Sequence, residues 1–292
     1  MKIEVQDVSL AYGETQALDS VRASIDGPRI VGLLGRNGSG KSSLLSVMAA
    51  FRPADSGTVT YDGQPVWENP VVASQIALIR EGGDVHGEDE KLDEIFRYAA
   101  WLRPNWNASM AEDLAEAFRI PRKTNLDKMS RGQRSAVGVV LGLATQAPVT
   151  MFDETYLGMD APARVLFYDL LLKEYMERPR TFILSTHLIE EVSRILEDVI
   201  IIHEGEVLMQ TATDDLLGQG VAMTGPADRV DSFVQGMTVI GTRDLGRTRS
   251  TTIFGGLSAS QRIEARELGL EFTPLELQDL FVHLTTQKEV RR

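Results

Sequence analysis

The chain has 292 residues, 43% of them hydrophobic and 25% charged, with a net charge of −12 and no cysteine. That supplies a core for one large domain plus a smaller one and argues against wholesale disorder. It excludes disulfides and cysteine-bound metals, suits a reducing cytosol, and speaks against a global electrostatic attraction to nucleic acid.

Residues 2–12 alternate apolar and polar like a strand and lack the charged start and long apolar run of a secretory signal. No stretch approaches the about 18 uninterrupted apolar residues of a transmembrane helix, so no membrane span is expected. Residues 29–34 (RIVGLL) form a short apolar run expected as a buried strand, and helical spacing starts near Lys41. Turn signals in residues 53–63 surround a further strand, with Asp62 and Gly63 at a tight turn. Residues 92–101 and 108–118 have helical spacing, separated by the breaker RPNWN.

Residues 131–146 read as a helix with small residues on several faces, a sign of close packing. There follow a strand at 149–152, a helix at 161–177, a strand at 181–185, a helix at 188–197, and two strands within 199–209 around Glu204 and Gly205. Strands alternating with helices imply a mostly parallel sheet covered on both faces, with the N-terminal strands as an antiparallel edge. After about residue 217 Gly, Thr and Arg increase and strands shorten. The expected organisation is a large domain over 1–217 and a small α+β domain over 218–292. No internal repeat or low-complexity tract is evident.

The stretch Gly35, Arg36, Asn37, Gly38, Ser39, Gly40, Lys41, Ser42, with Ser43 next, fits G-x-x-x-x-G-K-[ST] between an expected strand and an expected helix. Glycines let successive backbone N–H groups point inward at a phosphate, and the helix start adds its positive dipole end. Lys41 supplies a point charge for the β- and γ-phosphates, and Ser42 offers a hydroxyl to Mg²⁺. A second magnesium anchor and a group to position water are then needed. The run VTMFDE ends an apolar strand in Asp153, suited to the Mg²⁺ shell, and Glu154, suited to polarising the attacking water.

Ser130, Arg131, Gly132 and Gln133 lie shortly before that strand and resemble the L-S-G-G-Q signature of the ABC (ATP-binding cassette) ATPases. Ser130 is also a plausible N-cap for the helix starting at Arg131, presenting a second anion-binding helix start. The resemblance covers roughly residues 1–217 and implies an ABC nucleotide-binding domain there, of the ABC type of P-loop NTPase fold, with a helical subdomain at about 84–146 and with ATP and Mg²⁺ as cofactors. It implies an adenine-stacking role for Tyr12, a D-loop at residues 157–160 ending in Asp160, and a switch role for His187 in STH. Lys41, Glu154 and His187 would be catalytic. Ser130, Gly132 and Gln133 would face the nucleotide of a second ABC subunit; two competent sites allow a homodimer and leave a heterodimer open.

The departures are Arg131 for the first signature glycine, Met129 for leucine, Thr155 for the proline that usually follows the glutamate, and Glu81 for the Q-loop glutamine. Glu81 either touches nucleotide, Mg²⁺ or water, or is a solvated acid. The acidic run 88–90 reads as a solvated face. Trp101 and Trp106 are candidate anchors for a membrane permease subunit or members of the subdomain core, and core is the expectation for Trp101. The segments AAWLRPNWN and PLELQDLFVHLT resemble a bacterial export-type subgroup.

The resemblance thus implies an ATP-hydrolysing subunit, peripheral on the cytoplasmic face of the cell membrane, that powers a separate permease. A soluble non-transport ABC ATPase and a nucleotide-dependent binding module without turnover are the alternatives.

Overall fold

In the computed structural model, which describes residues 1–80 and 90–290, β1 (Lys2–Tyr12) and β2 (Thr15–Asp26) lead into β3 (Ile30–Leu34) and α1 (Lys41–Met48). Then come β4 (Ser56–Tyr61), β5 (Gln64–Pro65), α2 (Pro70–Ala73) and β6 (Ile76–Arg80). Helices α3 (Leu92–Leu102), α4 (Ala108–Ala117) and α5 (Arg131–Ala144) precede β7 (Val149–Asp153), α6 (Ala161–Glu177) and β8 (Thr181–Thr186). After α7 (Ile189–Val192) come β9 (Asp198–His203), β10 (Glu206–Ala212) and α8 (Thr213–Leu217). The remainder is β11 (Gly220–Pro226), α9 (Ala227–Phe233), β12 (Thr238–Leu245), β13 (Thr248–Phe254), α10 (Ala259–Glu267), β14 (Glu271–Pro274) and α11 (Leu277–Val290). Two compact units result: Met1–Leu188 with Ile195–Gln210, and Ile189–Arg194 with Thr211–Arg292.

The first unit holds two sheets. The larger has the order β10-β9-β3-β8-β7-β6, with β9, β3, β8, β7 and β6 parallel. Every residue of β3, β7 and β8 is buried, as a sheet covered on both faces requires. The smaller, β2-β1-β4-β5, is antiparallel. One core joins the two, with Ile3, Val5, Val8 and Leu10 of β1, Leu44, Leu45 and Met48 of α1, and Leu33, Met151 and Ile183 of the parallel sheet. Strand β1 changes parity between Val5 and Val8, where Asp7 takes φ 52°, so that both halves of the strand face the core. Gly57 permits this: a Cβ there would lie 2.3 Å from the Asp7 carbonyl oxygen.

Helices α3, α4 and α5 pack together beside the parallel sheet. Gly142 of α5 lets the helix meet β7, since a Cβ would fall 2.5 Å from the Phe152 ring. Trp106 is half-buried with its ring 5.6 Å from that of Phe96. Trp101, expected in the core, is instead 73% exposed. It sits on the side of α3 opposite Leu92, Ile95 and Phe96, which fill the buried stripe.

The helix expected over 188–197 is only the four-residue α7 followed by a 3-10 turn, Ser193–Ile195. Ser193 Oγ donates to the Glu190 carbonyl, a local bond that competes with helix continuation. Glu197 is committed to β3, its N–H bonded to the Ile30 carbonyl and its carboxylate to the Ile30 N–H. Strands β2 and β6 have no counterpart in the expected elements.

In the second unit β11-α9-β12-β13-α10-β14 forms an antiparallel sheet of order β12-β13-β11-β14. This is the split βαβ arrangement of ferredoxin-like folds. Val221, Met223, Val230, Phe233, Ile253, Ala265 and Leu270 fill its core.

Candidate nucleotide-binding site

The sheet order places β3, β8 and β7 side by side, so the loops leaving their C-terminal ends converge. Gly35, the first residue after β3, is tightly enclosed: a Cβ would meet Ser39 Oγ at 2.3 Å and the Ile202 carbonyl oxygen at 2.7 Å. Gly40, with φ 107°, caps α1, and a Cβ there would strike the Ala17 carbonyl oxygen at 2.6 Å. These two contacts make the turn glycine-dependent in a way that a plain surface loop is not. Ser39 is buried, and its Oγ has no hydrogen-bond partner. Asn37, Gly38 and Ser42 are exposed on the same turn and helix start. No acidic residue occupies the first turn of α1, so its dipole is left for an external anion.

Lys41 is 5% exposed. Its Nζ donates to the carbonyls of Gly35 at 2.8 Å and Arg36 at 3.2 Å, and lies 3.3 Å from Glu154 Oε1. The same Oε1 is 3.3 Å from His187 Nδ1. One carboxylate oxygen therefore joins the ends of all three neighbouring strands. Glu154 adopts the left-handed conformation, φ 51° and ψ 20°, and its N–H bonds to the Ser185 carbonyl at 3.3 Å. His187 follows Thr186, whose Oγ1 accepts from the Leu188 N–H at 2.8 Å.

Asp153 is 6% exposed and its Oδ1 has no hydrogen-bond partner. A buried carboxylate oxygen without a donor, beside a lysine-filled phosphate cradle, fits a hard cation. Among the described residues no three His, Cys, Asp or Glu side chains cluster as a metal site. A cation here would complete its shell with the exposed Ser42 hydroxyl, phosphate oxygens and water.

Tyr12 ends β1, 45% exposed, with the Arg52 guanidinium 4.3 Å from its ring centroid and its hydroxyl 3.5 Å from Ser43 Oγ. Glu81 lies outside the described residues.

Ser130 caps α5: its Oγ accepts from the Gln133 N–H at 3.2 Å, and the Gln133 side chain accepts from the Ser130 N–H at 2.9 Å. This helix start reaches the glutamate through the 3-10 turn Thr155–Gly158, because Gly132 packs where a Cβ would be 2.9 Å from the Gly158 carbonyl oxygen. Asp160 caps α6 through its contact with the Ala163 N–H at 3.0 Å. The structure thus gathers Gly35, Lys41, Asp153, Glu154 and His187 in one place, and sets Ser130, Gly132 and Gln133 on a separate helix start. Sequence reasoning missed Ser185, which pairs in register with Asp153 and whose buried Oγ has no partner, although it belongs to the same STH triple as His187.

A glycine cradle with a buried lysine, followed by a carboxylate pair at the end of the strand one removed in the sheet, defines a P-loop nucleotide-binding domain. The ABC transporter family model matches residues 18–156. The chain is similar to the ABC transporter ATP-binding protein YtrB of Bacillus subtilis, 27% identical over 73% of each chain. It is 26% identical to the Nod factor export ATP-binding protein I of Paraburkholderia xenovorans over 97% of this chain and 96% of that one. A sulfate/thiosulfate import ATP-binding protein, CysA of Halalkalibacterium halodurans, matches at 26% identity over 75% of this chain and 64% of its own length. The solved structure of an ATP binding subunit of an ABC transporter superposes with a TM-score of 0.66, at 25% identity, covering 74% of this chain and 92% of that chain. The chain carries an ABC transporter ATP-binding domain.

Proposed function

We propose that this chain is the ATP-hydrolysing subunit of a bacterial ABC exporter, built from a cassette over residues 1–217 and a smaller domain over 218–292. The observation that carries the catalytic half is the shared contact of Glu154 Oε1 with Lys41 and His187 at the mouth of the glycine turn. In this reading the N–H groups of the turn from Gly35 to Ser43, together with Lys41, hold the phosphates of ATP, and Tyr12 stacks on adenine. Ser42 and Asp153 hold Mg²⁺, with Glu81 beside it; the ion neutralises charge on the phosphates. Glu154 takes the proton of the attacking water, and His187 orients Glu154 and contacts the γ-phosphate.

Ser130, Gly132, Gln133 and Asp160 serve the nucleotide of a second copy, so that ATP joins two subunits and hydrolysis parts them. A two-state dimer of this kind converts nucleotide turnover into motion of an attached permease. The subunit itself works at the cytoplasmic face. No described helix is long and apolar enough to cross a membrane. Export is supported by the nearly full-length similarity to a protein named for export, which extends through the C-terminal unit.

Purification of the tagged protein from mild-detergent extracts of its native membranes tests the reading. A stoichiometric multi-spanning protein identified by mass spectrometry is expected. Recovery with soluble partners alone would replace transport by a soluble assembly function.

A further inference from the structure

The residue after the proposed catalytic glutamate is Thr155, fully buried, in the first position of the 3-10 turn. Its Oγ1 donates to the Ile79 carbonyl at 2.7 Å. Ile79 lies in β6, the strand paired with β7 on the side away from β8. The next residue, Tyr156, is also fully buried and reaches the other way, its hydroxyl donating to the Ser185 carbonyl of β8 at 3.3 Å. The turn that carries Glu154 out of β7 is therefore tied to both flanking strands. Glu154 itself, in the left-handed conformation, depends on these neighbours to hold a backbone geometry that a glutamate rarely adopts.

We propose that Thr155 is a positioning residue for ATP hydrolysis: its hydroxyl tether to Ile79 fixes the turn so that Glu154 meets the attacking water. The inference rests on the catalytic role given to Glu154 above. A buried hydroxyl bonded to a strand carbonyl restrains the turn from outside, where a proline would restrain it through its own ring. Thr155 touches neither Lys41 nor the glycine turn in the described contacts, so its effect belongs to the chemical step and not to nucleotide affinity. Displacements of about 1 Å in a group that must meet its reactant cost up to about a hundredfold in rate.

The test is steady-state ATP hydrolysis by the full chain carrying Thr155→Val, which keeps shape and loses the hydroxyl, beside Thr155→Ser, which keeps the hydroxyl. Thr155→Val is expected to lower kcat about ten- to a hundredfold with the KM for ATP within about twofold of wild type. Thr155→Ser is expected to retain most of the wild-type kcat. A folded Thr155→Val protein with wild-type kcat, or one in which KM and kcat change together, overturns the inference and leaves the functional reading standing. If Thr155→Val does not fold, Thr155→Ser decides: near-wild-type kcat supports the tether, and a folded serine variant slowed about ten- to a hundredfold overturns it. Wild-type protein without Mg²⁺-dependent phosphate release defeats the functional reading, and this inference with it.

Discussion

Lys41 Nζ lies 3.3 Å from Glu154 Oε1, with the lysine 5% and the glutamate side chain 19% exposed. The ammonium thus has three anionic or dipolar partners before any phosphate arrives: this carboxylate and the carbonyls of Gly35 and Arg36. On the proposed reading, a nucleotide that draws Lys41 onto its phosphates would release Glu154 from the lysine and leave it with His187, which shares the same oxygen.

On the proposed reading, Lys41→Ala would remove a charge-assisted phosphate contact worth about 1.5–3 kcal/mol. ATP affinity is expected to fall about ten- to a hundredfold, measured by titration calorimetry. Unchanged affinity would remove the glycine turn as the phosphate cradle.

Gly132→Ala and Gly158→Ala test the junction between the signature helix and the glutamate turn. At Gly132 the new Cβ meets a backbone oxygen at 2.9 Å, which cannot rotate away. At Gly158 it meets the buried Ser135 hydroxyl at 2.6 Å, Arg131 Cγ at 2.9 Å and the Arg131 carbonyl oxygen at 3.1 Å. Both substitutions should destabilise by about 1–3 kcal/mol, read from denaturant unfolding. Wild-type stability in both variants would show that the two segments do not pack as described.

His283, on α11 with its ring 6.0 Å from Phe254, is held by burial below the ordinary imidazole value of 6.5. The unfolded chain then binds this proton more readily than the folded one, so stability is present above pH 6.5 and is lost as the pH falls through the lower folded value. Thermal unfolding between pH 7.5 and 5.5 should show a fall in midpoint that is smaller in His283→Gln. An equal fall in both proteins would free His283 of that role.

The phosphate turn, the carboxylate pair and the Ser130 cap were legible because each is local: a strand, a short motif and a helix start within about ten residues. Strand β2 was not, and the reason is visible in its buried side chains Leu18, Val21 and Ile25. Ser20 takes φ 47° and shifts the parity of the strand, leaving an i, i+3, i+7 spacing that mimics a helix. Trp101 looked like core because its chemistry is apolar, yet its place on α3 is decided by which stripe of the helix the rest of the subdomain covers. The Thr155 tether joins residues 76 apart in sequence, which only the β6–β7 pairing brings together.

The central claim, an ATP-closed dimer opened by Glu154-dependent hydrolysis, is tested most directly by light scattering on Glu154→Gln protein. With saturating Mg-ATP the molar mass should double relative to nucleotide-free protein and stay doubled, because ATP is bound and hydrolysed slowly or not at all. Monomer alone, under conditions where ATP binding is verified, would contradict the sandwich and the mechanism built on it.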